Sequence, residues 1–237
     1  MSTELQRDIT YYNEEWSKEE RFFANAWQLT RAAAILRAIA DARLTRPAIC
    51  ELGSGTGWLT SILGSVGDAT GVELSTVAVE KARARYQHVD FVCADALTWD
   101  HPRHVFDVVV SHESIEHVDD QQRYVDLCCG LLKPGGLLVL TTPNARTVAA
   151  IPAALRSHQP HENIMTAAQL RRLLRTHFPD IRITTSILAG GTSGVYRLVS
   201  SVRLRKVVRR LRLESAFDAL ALRAGFGLHL IAIARKH

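Results

Sequence analysis

The 237-residue sequence predicts an α/β domain built on a mostly parallel sheet with helices on both faces. Three observations predict it. From Pro47 onward, short apolar runs alternate with segments of helical character. The first run, Ile49-Cys50-Glu51-Leu52, passes into Gly53-Ser54-Gly55-Thr56-Gly57 and then into Trp58-Leu59-Thr60, the sequence form of a strand, a tight turn and a helix start. A second run, Ala69-Thr70-Gly71-Val72, ends in Glu73, twenty residues beyond Gly53. Glycines suit such a turn because a Cβ would hold a ligand away from the backbone and because the turn calls for positive φ. An acidic residue at the tip of the neighbouring strand can accept hydrogen bonds from both hydroxyls of a ribose.

The length allows one large domain with its own core and is too short for two. Hydrophobic residues make up 47% and charged residues 22%, as in an ordinary water-soluble protein. No segment approaches the roughly 18 uninterrupted apolar residues of a membrane span. Glu4, Arg7 and Asp8 fall where a signal peptide has its apolar stretch, so the expected compartment is the cytoplasm. Cys50, Cys93, Cys128 and Cys129 have no spacing that suggests a zinc site or a disulfide frame. Net charge is +5, yet seven basic residues and no acid lie between Arg197 and Arg212.

In chain order, residues 4 to about 43 read as helix, forming a cap over residues 1–46. Its aromatic residues Tyr11, Tyr12, Trp16, Phe22, Phe23 and Trp27 either fill the core or form a lid over the substrate. The domain proper, residues 47–237, continues with a helix over Trp58–Leu63, a second strand to Glu73 and a helix from Thr76 with Ser75 as N-cap. The third strand is Val89–Cys93, the fourth Phe106–Val110, and the fifth Leu137–Thr142, after a helix over 119–132 and a Lys133-Pro134-Gly135-Gly136 turn. The unbroken apolar Val108-Val109-Val110 suits a strand buried on both faces. Thr166 and Gln169 form a capping box for a helix through Arg175. Ile181–Leu188 is a sixth strand, residues 190–225 a basic helical insertion, and Leu228–Ala234 a seventh strand.

Five segments in order carry a family resemblance: Glu51-Leu52-Gly53-Ser54-Gly55-Thr56-Gly57, Gly71-Val72-Glu73-Leu74-Ser75, Ala94-Asp95-Ala96, Phe106-Asp107-Val108-Val109-Val110 and Leu131-Leu132-Lys133-Pro134-Gly135-Gly136. Together they resemble the class I S-adenosylmethionine-dependent methyltransferases. The resemblance implies a Rossmann-like doubly wound, seven-stranded sheet in the order 3-2-1-4-5-7-6 with strand seven antiparallel. It implies that Gly53, Ser54, Gly55 and Gly57 take the methionine half of S-adenosylmethionine, with Glu51 at its ammonium. Glu73 and Leu74 would face the ribose, Asp95 and Ala96 the adenine, and Ser111 would complete the cofactor set. The Gly53-x-Gly55-x-Gly57 spacing departs from the G-x-G-x-x-G of dinucleotide sites, which argues against a nicotinamide cofactor.

Ser111-His112-Glu113-Ser114-Ile115-Glu116-His117 follows the fourth strand, at the sheet edge where substrates bind. On a helical turn, Glu113, Glu116 and His117 share one face and can hold Mg²⁺ or another divalent cation such as Mn²⁺. This Glu-x-x-Glu-His resembles the ubiquinone-biosynthesis O-methyltransferases and the small-RNA 3′-terminal 2′-O-methyltransferases, and the second group implies His161 as a fourth ligand. Without a metal, His117 or His112 serves as general base beside Glu113. The expected activity is methylation of a hydroxyl on a small-molecule acceptor, phenolic, lipid-linked or sugar-like. RNA 2′-O-methylation and a non-catalytic cofactor-binding subunit are the alternatives. Leu204, Val207, Val208 and Leu211 form an i, i+3, i+4, i+7 stripe in the segment 197–212, which packs on the domain, lies on a membrane surface or contacts RNA phosphates.

Overall fold

The computed structural model describes residues 3–18, 24–152, 162–188, 194–199 and 201–237. Seven strands, β1 (Ala48–Leu52), β2 (Asp68–Glu73), β3 (Asp90–Cys93), β4 (Phe106–His112), β5 (Leu132–Pro143), β6 (Asp180–Leu188) and β7 (Gly227–Arg235), form one sheet. Its order is β3-β2-β1-β4-β5-β7-β6, with β7 antiparallel to both β5 and β6, as the resemblance implies. The central strands are apolar without a break because both faces are covered. Ile49, Val108, Val110 and Val139 pack to one side, and Cys50, Leu52, Val109, Leu138 and Leu140 to the other.

Helices α2 (Ala26–Asp41) and α3 (Trp58–Leu63) cover the first face, where Ala32, Ile35, Ala38 and Ile39 join the core. Helices α5 (Gln121–Leu131) and α7 (Ala167–Leu174) cover the second, bringing Tyr124, Cys128, Leu131, Leu170 and Leu174. The Thr166/Gln169 capping box opens α7. Helix α4 (Thr76–Arg85), capped by Ser75, packs Val79 and Ala82 on Phe91 of β3.

Two sequence expectations are corrected. Residues 4 to 43 do not form one helix: α1 (Thr3–Lys18) is separate from α2, whose N-terminus is fixed by an Asn25/Gln28 capping box. The Lys133–Gly136 turn is part of β5, where the register with β4 shifts between Phe106 and Val108 and Gly135 takes φ 77°. The expected helical insertion contains, among the described residues, three short helices, α8 (Gly194–Val199), α9 (Val202–Arg210) and α10 (Glu214–Arg223). A last short helix, α6 (Ala145–Val148), follows β5. Among the described residues, no helix is long and apolar enough to cross a membrane.

The parallel strands all point their carboxyl ends to one edge. The start of β7 lies at the same edge, because Pro143 pairs with His229 and Leu188 with Gly227.

Candidate functional site

At the end of β1, Gly53, Gly55 and Gly57 have φ of 75°, 52° and 80°. A Cβ at Gly53 would overlap the Ser114 hydroxyl, which donates to the Leu52 carbonyl and ties the β4 loop to the glycine turn. The turn is closed on β2 by Glu73, whose two oxygens accept the N–H groups of Gly55 and Ser75, each at 2.9 Å. Each oxygen keeps a lone pair for a further donor. Glu51 is 2% exposed and accepts the Thr60 hydroxyl; burial pushes its pKa up to about 8. Ser54 is buried and its hydroxyl has no partner among the described residues.

These features fit an amino-acid-bearing nucleoside. A buried carboxyl held back from ionising gains from an ammonium placed beside it, and an unpartnered buried hydroxyl gains from any polar ligand. Asp95 caps the turn after β3, accepting the Leu97 N–H at 3.0 Å and the Thr98 hydroxyl at 2.9 Å, beside a half-buried Ala96. Leu74 is half-buried between Glu73 and Ser75. Ser111 is fully buried and accepts the Tyr124 hydroxyl, so it faces the α5 layer.

Helix α1 lies across this turn. The Trp16 ring is the first atom group that a Cβ on Gly55 would meet, at 2.9 Å. Asn13 Oδ1 accepts the Ser75 hydroxyl at 2.6 Å, and Lys81 donates to the Trp16 carbonyl at 2.5 Å. Tyr12, one residue before Asn13, sits edge-on to His117 with ring centroids 6.3 Å apart. Burial, and then the charge of Glu73, raise the pKa of its hydroxyl, which stays protonated. The aromatic residues Tyr12 and Trp16 of α1 therefore bridge the glycine turn and the β4 loop, while Phe22 and Phe23 lie outside the described residues.

Across the crevice, the β4 loop does not take the helical turn that would align Glu113, Glu116 and His117. Glu113 has φ 55°, and only Ile115–His117 form a 3₁₀ turn. The side chains therefore diverge. Glu113 accepts the Thr141 hydroxyl at 2.9 Å and lies 3.1 Å from His229 Nε2 and 3.7 Å from Arg31 Nε. Glu116 is buried against the Thr142 hydroxyl, 3.0 Å away. Among the described residues no three His, Cys, Asp or Glu side chains converge to hold a metal ion, and the expected ligand His161 lies outside those residues.

The electrostatics separate the candidate groups. Burial acts to raise the Glu113 pKa, but the His229 hydrogen bond and the His229 and Arg31 charges outweigh it and hold the group down to about 2. Glu116 pairs with no cation among the described residues; burial, and then the Glu113 charge, raise its pKa well above the carboxylate range. His112 gives its Nε2 lone pair to Arg31 at 3.1 Å, and burial lowers its pKa to about 4. That leaves it a poor base. His117 is half-buried, its pKa is lowered by burial, and its Nδ1 has no partner among the described residues.

Arg31 and His229 escaped the sequence reading. Each left a signal: Arg31 is a charge on the apolar stripe of Ile35 and Ala38, and His229 interrupts the apolar run Leu228-x-Leu230. Tyr12, Asn13 and Trp16 gave a weaker one, since aromatic spacing alone does not tell a lid from a core.

Residues 50–140 match the family model described as a methyltransferase domain. A probable S-adenosylmethionine-dependent methyltransferase of Mycolicibacterium smegmatis is 31% identical over 144 residues, which is 60% of this chain and 55% of that protein. The ubiquinone biosynthesis O-methyltransferase of Coxiella burnetii is 36% identical over 103 residues, 40% of this chain and 43% of that protein. The chain thus spans about half the length of the curated relatives it matches. In fold it is similar to the N-methyltransferase NodS of Bradyrhizobium japonicum, solved with S-adenosyl-L-homocysteine, with a TM-score of 0.66 at 16% identity over 96% of this chain and 97% of that one.

Proposed function

We propose that the chain, whose residues 50–140 match a methyltransferase domain, is a class I S-adenosylmethionine-dependent methyltransferase, and that it methylates a hydroxyl of a small molecule, phenolic, lipid-linked or sugar-like. The observation that carries this reading is the unpartnered Nδ1 of His117, on a ring set between Tyr12 of the lid and the β4 loop. A neutral imidazole there accepts a proton at physiological pH. The likeness over 103 residues to an O-methyltransferase supports the same reading.

S-adenosylmethionine supplies a methyl group on a sulfonium. The chain's own residues do the rest. The glycine turn, Glu51, Glu73 and Asp95 orient the donor, while α1 excludes water from above. Arg31, His229 and Thr141 fix Glu113 as a charged wall of the crevice, and His117 takes the hydroxyl proton as the new C–O bond forms and the C–S bond breaks. The products are a methyl ether and S-adenosylhomocysteine. Alignment supplies most of the rate, and the base typically adds 10²–10⁴-fold.

The test is turnover of labelled S-adenosylmethionine on catechols, glycosides and short RNAs, with Mg²⁺ or a chelator. Methylation of a small hydroxyl compound, cut at least about 10²-fold by His117→Asn with S-adenosylhomocysteine affinity intact, supports the proposal. Transfer to RNA alone, or cofactor binding with no turnover on any acceptor, overturns it. Loss of turnover on chelation assigns the deprotonation to a metal instead of His117.

A further inference from the structure

We propose that α9 and the turn into α10 form a docking surface for an anionic lipid bilayer, beside the mouth of the crevice. Helical spacing on α9 puts Val202, Arg203, Lys206, Val207 and Arg210 on one arc, and all five are exposed. The opposite side carries the buried Val208 and the half-buried Leu204 and Arg205. The stripe read from the sequence is therefore split: Val208 packs inward, whereas Val207 and Leu211 face solvent.

The apolar exposure is concentrated here. Val202, Val207, Leu211, Leu213 and Leu220 are 52–69% exposed, and they are half of the ten large apolar side chains that stand exposed among the described residues. The charges are equally one-sided. The acids of α10 are already engaged, Glu214 by Arg209 and Asp218 by Arg205. Arg203, Lys206, Arg210 and Arg212 are exposed and form no ion pair among the described residues.

Free cations interleaved with exposed aliphatic side chains match the boundary of a bilayer, where apolar groups enter below the headgroups and cations meet lipid phosphates. A nucleic-acid surface would need the cations but gains nothing from exposed valine and leucine, and it ordinarily presents aromatic rings for base stacking. The ring of Phe217 on α10 is covered by the Arg205 guanidinium at 5.4 Å.

Placement adds a reason. The insertion leaves the sheet after β6 and returns at β7, at the edge that carries His229. It is anchored to the loop after β5: the Asn144 amide donates to the Gly225 and Gly227 carbonyls, and the Tyr196 and Thr147 hydroxyls are 3.0 Å apart. A bilayer seated on α9 thus lies next to the crevice, and an acceptor with a lipid tail could reach it without crossing water.

Flotation of the full chain with vesicles of phosphatidylcholine, with and without phosphatidylglycerol, tests this. The expected result is binding to the mixed vesicles and little to phosphatidylcholine alone. Arg203→Glu with Arg210→Glu, and separately Val207→Ser with Leu211→Ser, should each cut the bound fraction at least about tenfold. S-adenosylhomocysteine affinity and the melting temperature report that both variants remain folded. No binding to anionic vesicles, wild-type binding by the Val207/Leu211 variant, or complete displacement by a short RNA overturns the proposal. A protein that binds vesicles yet methylates no hydroxyl leaves this surface standing and removes only the catalytic reading.

Discussion

Glu51, buried, and Glu113, partly buried, are both carboxyls at the crevice, and their surroundings move them in opposite directions. For Glu51 the folded pKa, about 8, lies above the unfolded value near 4.5. Its contribution to stability is complete below pH 4.5 and is lost as pH rises through 8. The ligand-free melting temperature should therefore fall between pH 5 and 8, and Glu51→Gln should flatten that slope. A ligand ammonium beside Glu51 favours its ionised form, so binding of S-adenosylhomocysteine near neutral pH should release a proton. Calorimetry in buffers of different ionisation enthalpy would show this as a buffer-dependent heat, and a buffer-independent heat would contradict it.

Glu113 has the depressed value, about 2, so its contribution is present above the unfolded pKa and lost as pH falls through 2. Removing its cation by Arg31→Met should cost up to about 3 kcal/mol in denaturant unfolding at neutral pH, because a partly buried charge is left under-partnered. Adding Glu113→Gln should recover part of that loss, and a simply additive double variant would argue against the pairing. The glycine turn and Glu73 were legible in the sequence because their chemistry is local. Arg31 and His229 come from elements 198 residues apart, and only the closed sheet sets them 3.2 Å from one another.

Helix α1 shows the same division at the scale of elements. Its helical character is legible, but its destination is decided by contacts with α4 and the glycine turn that no periodicity encodes. Trp16→Ala should weaken S-adenosylhomocysteine binding mainly through a faster off-rate while leaving circular dichroism unchanged, since the ring covers Gly55 without belonging to the main core. Gly55→Ala should do the same by pushing the ring away, with an added cost from φ 52°. The break between α1 and α2 was missed because Asn25 and Gln28 are ordinary helix-compatible residues until they are paired as a cap. The β4 loop was misread for a related reason: Glu-x-x-Glu-His fits a helical face, but Glu113 turns away at φ 55° to meet Arg31 and His229.

For the molecule as a whole, strand order follows from the alternation of apolar runs and helices together with the family resemblance, and all seven strands appear, six within two residues of their expected bounds and β5 beginning five residues early. Ligand linkage acts at this scale too. With S-adenosylhomocysteine at about 100 times its Kd, the stabilisation is about 2.7 kcal/mol, which for a chain of this size raises the melting temperature by roughly 5–10 °C. No shift at that concentration would count against the cofactor site.

Strand β7 lies between β5 and β6 although it follows both in the chain. During synthesis, β5 and β6 must therefore wait with facing edges open until residues 227–235 emerge, and any pairing of β5 with β6 in the meantime would have to be undone. His229 arrives with that same strand. The groups that hold Glu113 are thus completed only by the strand that closes the sheet, and a chain without β7 lacks the His229 contact to that carboxylate.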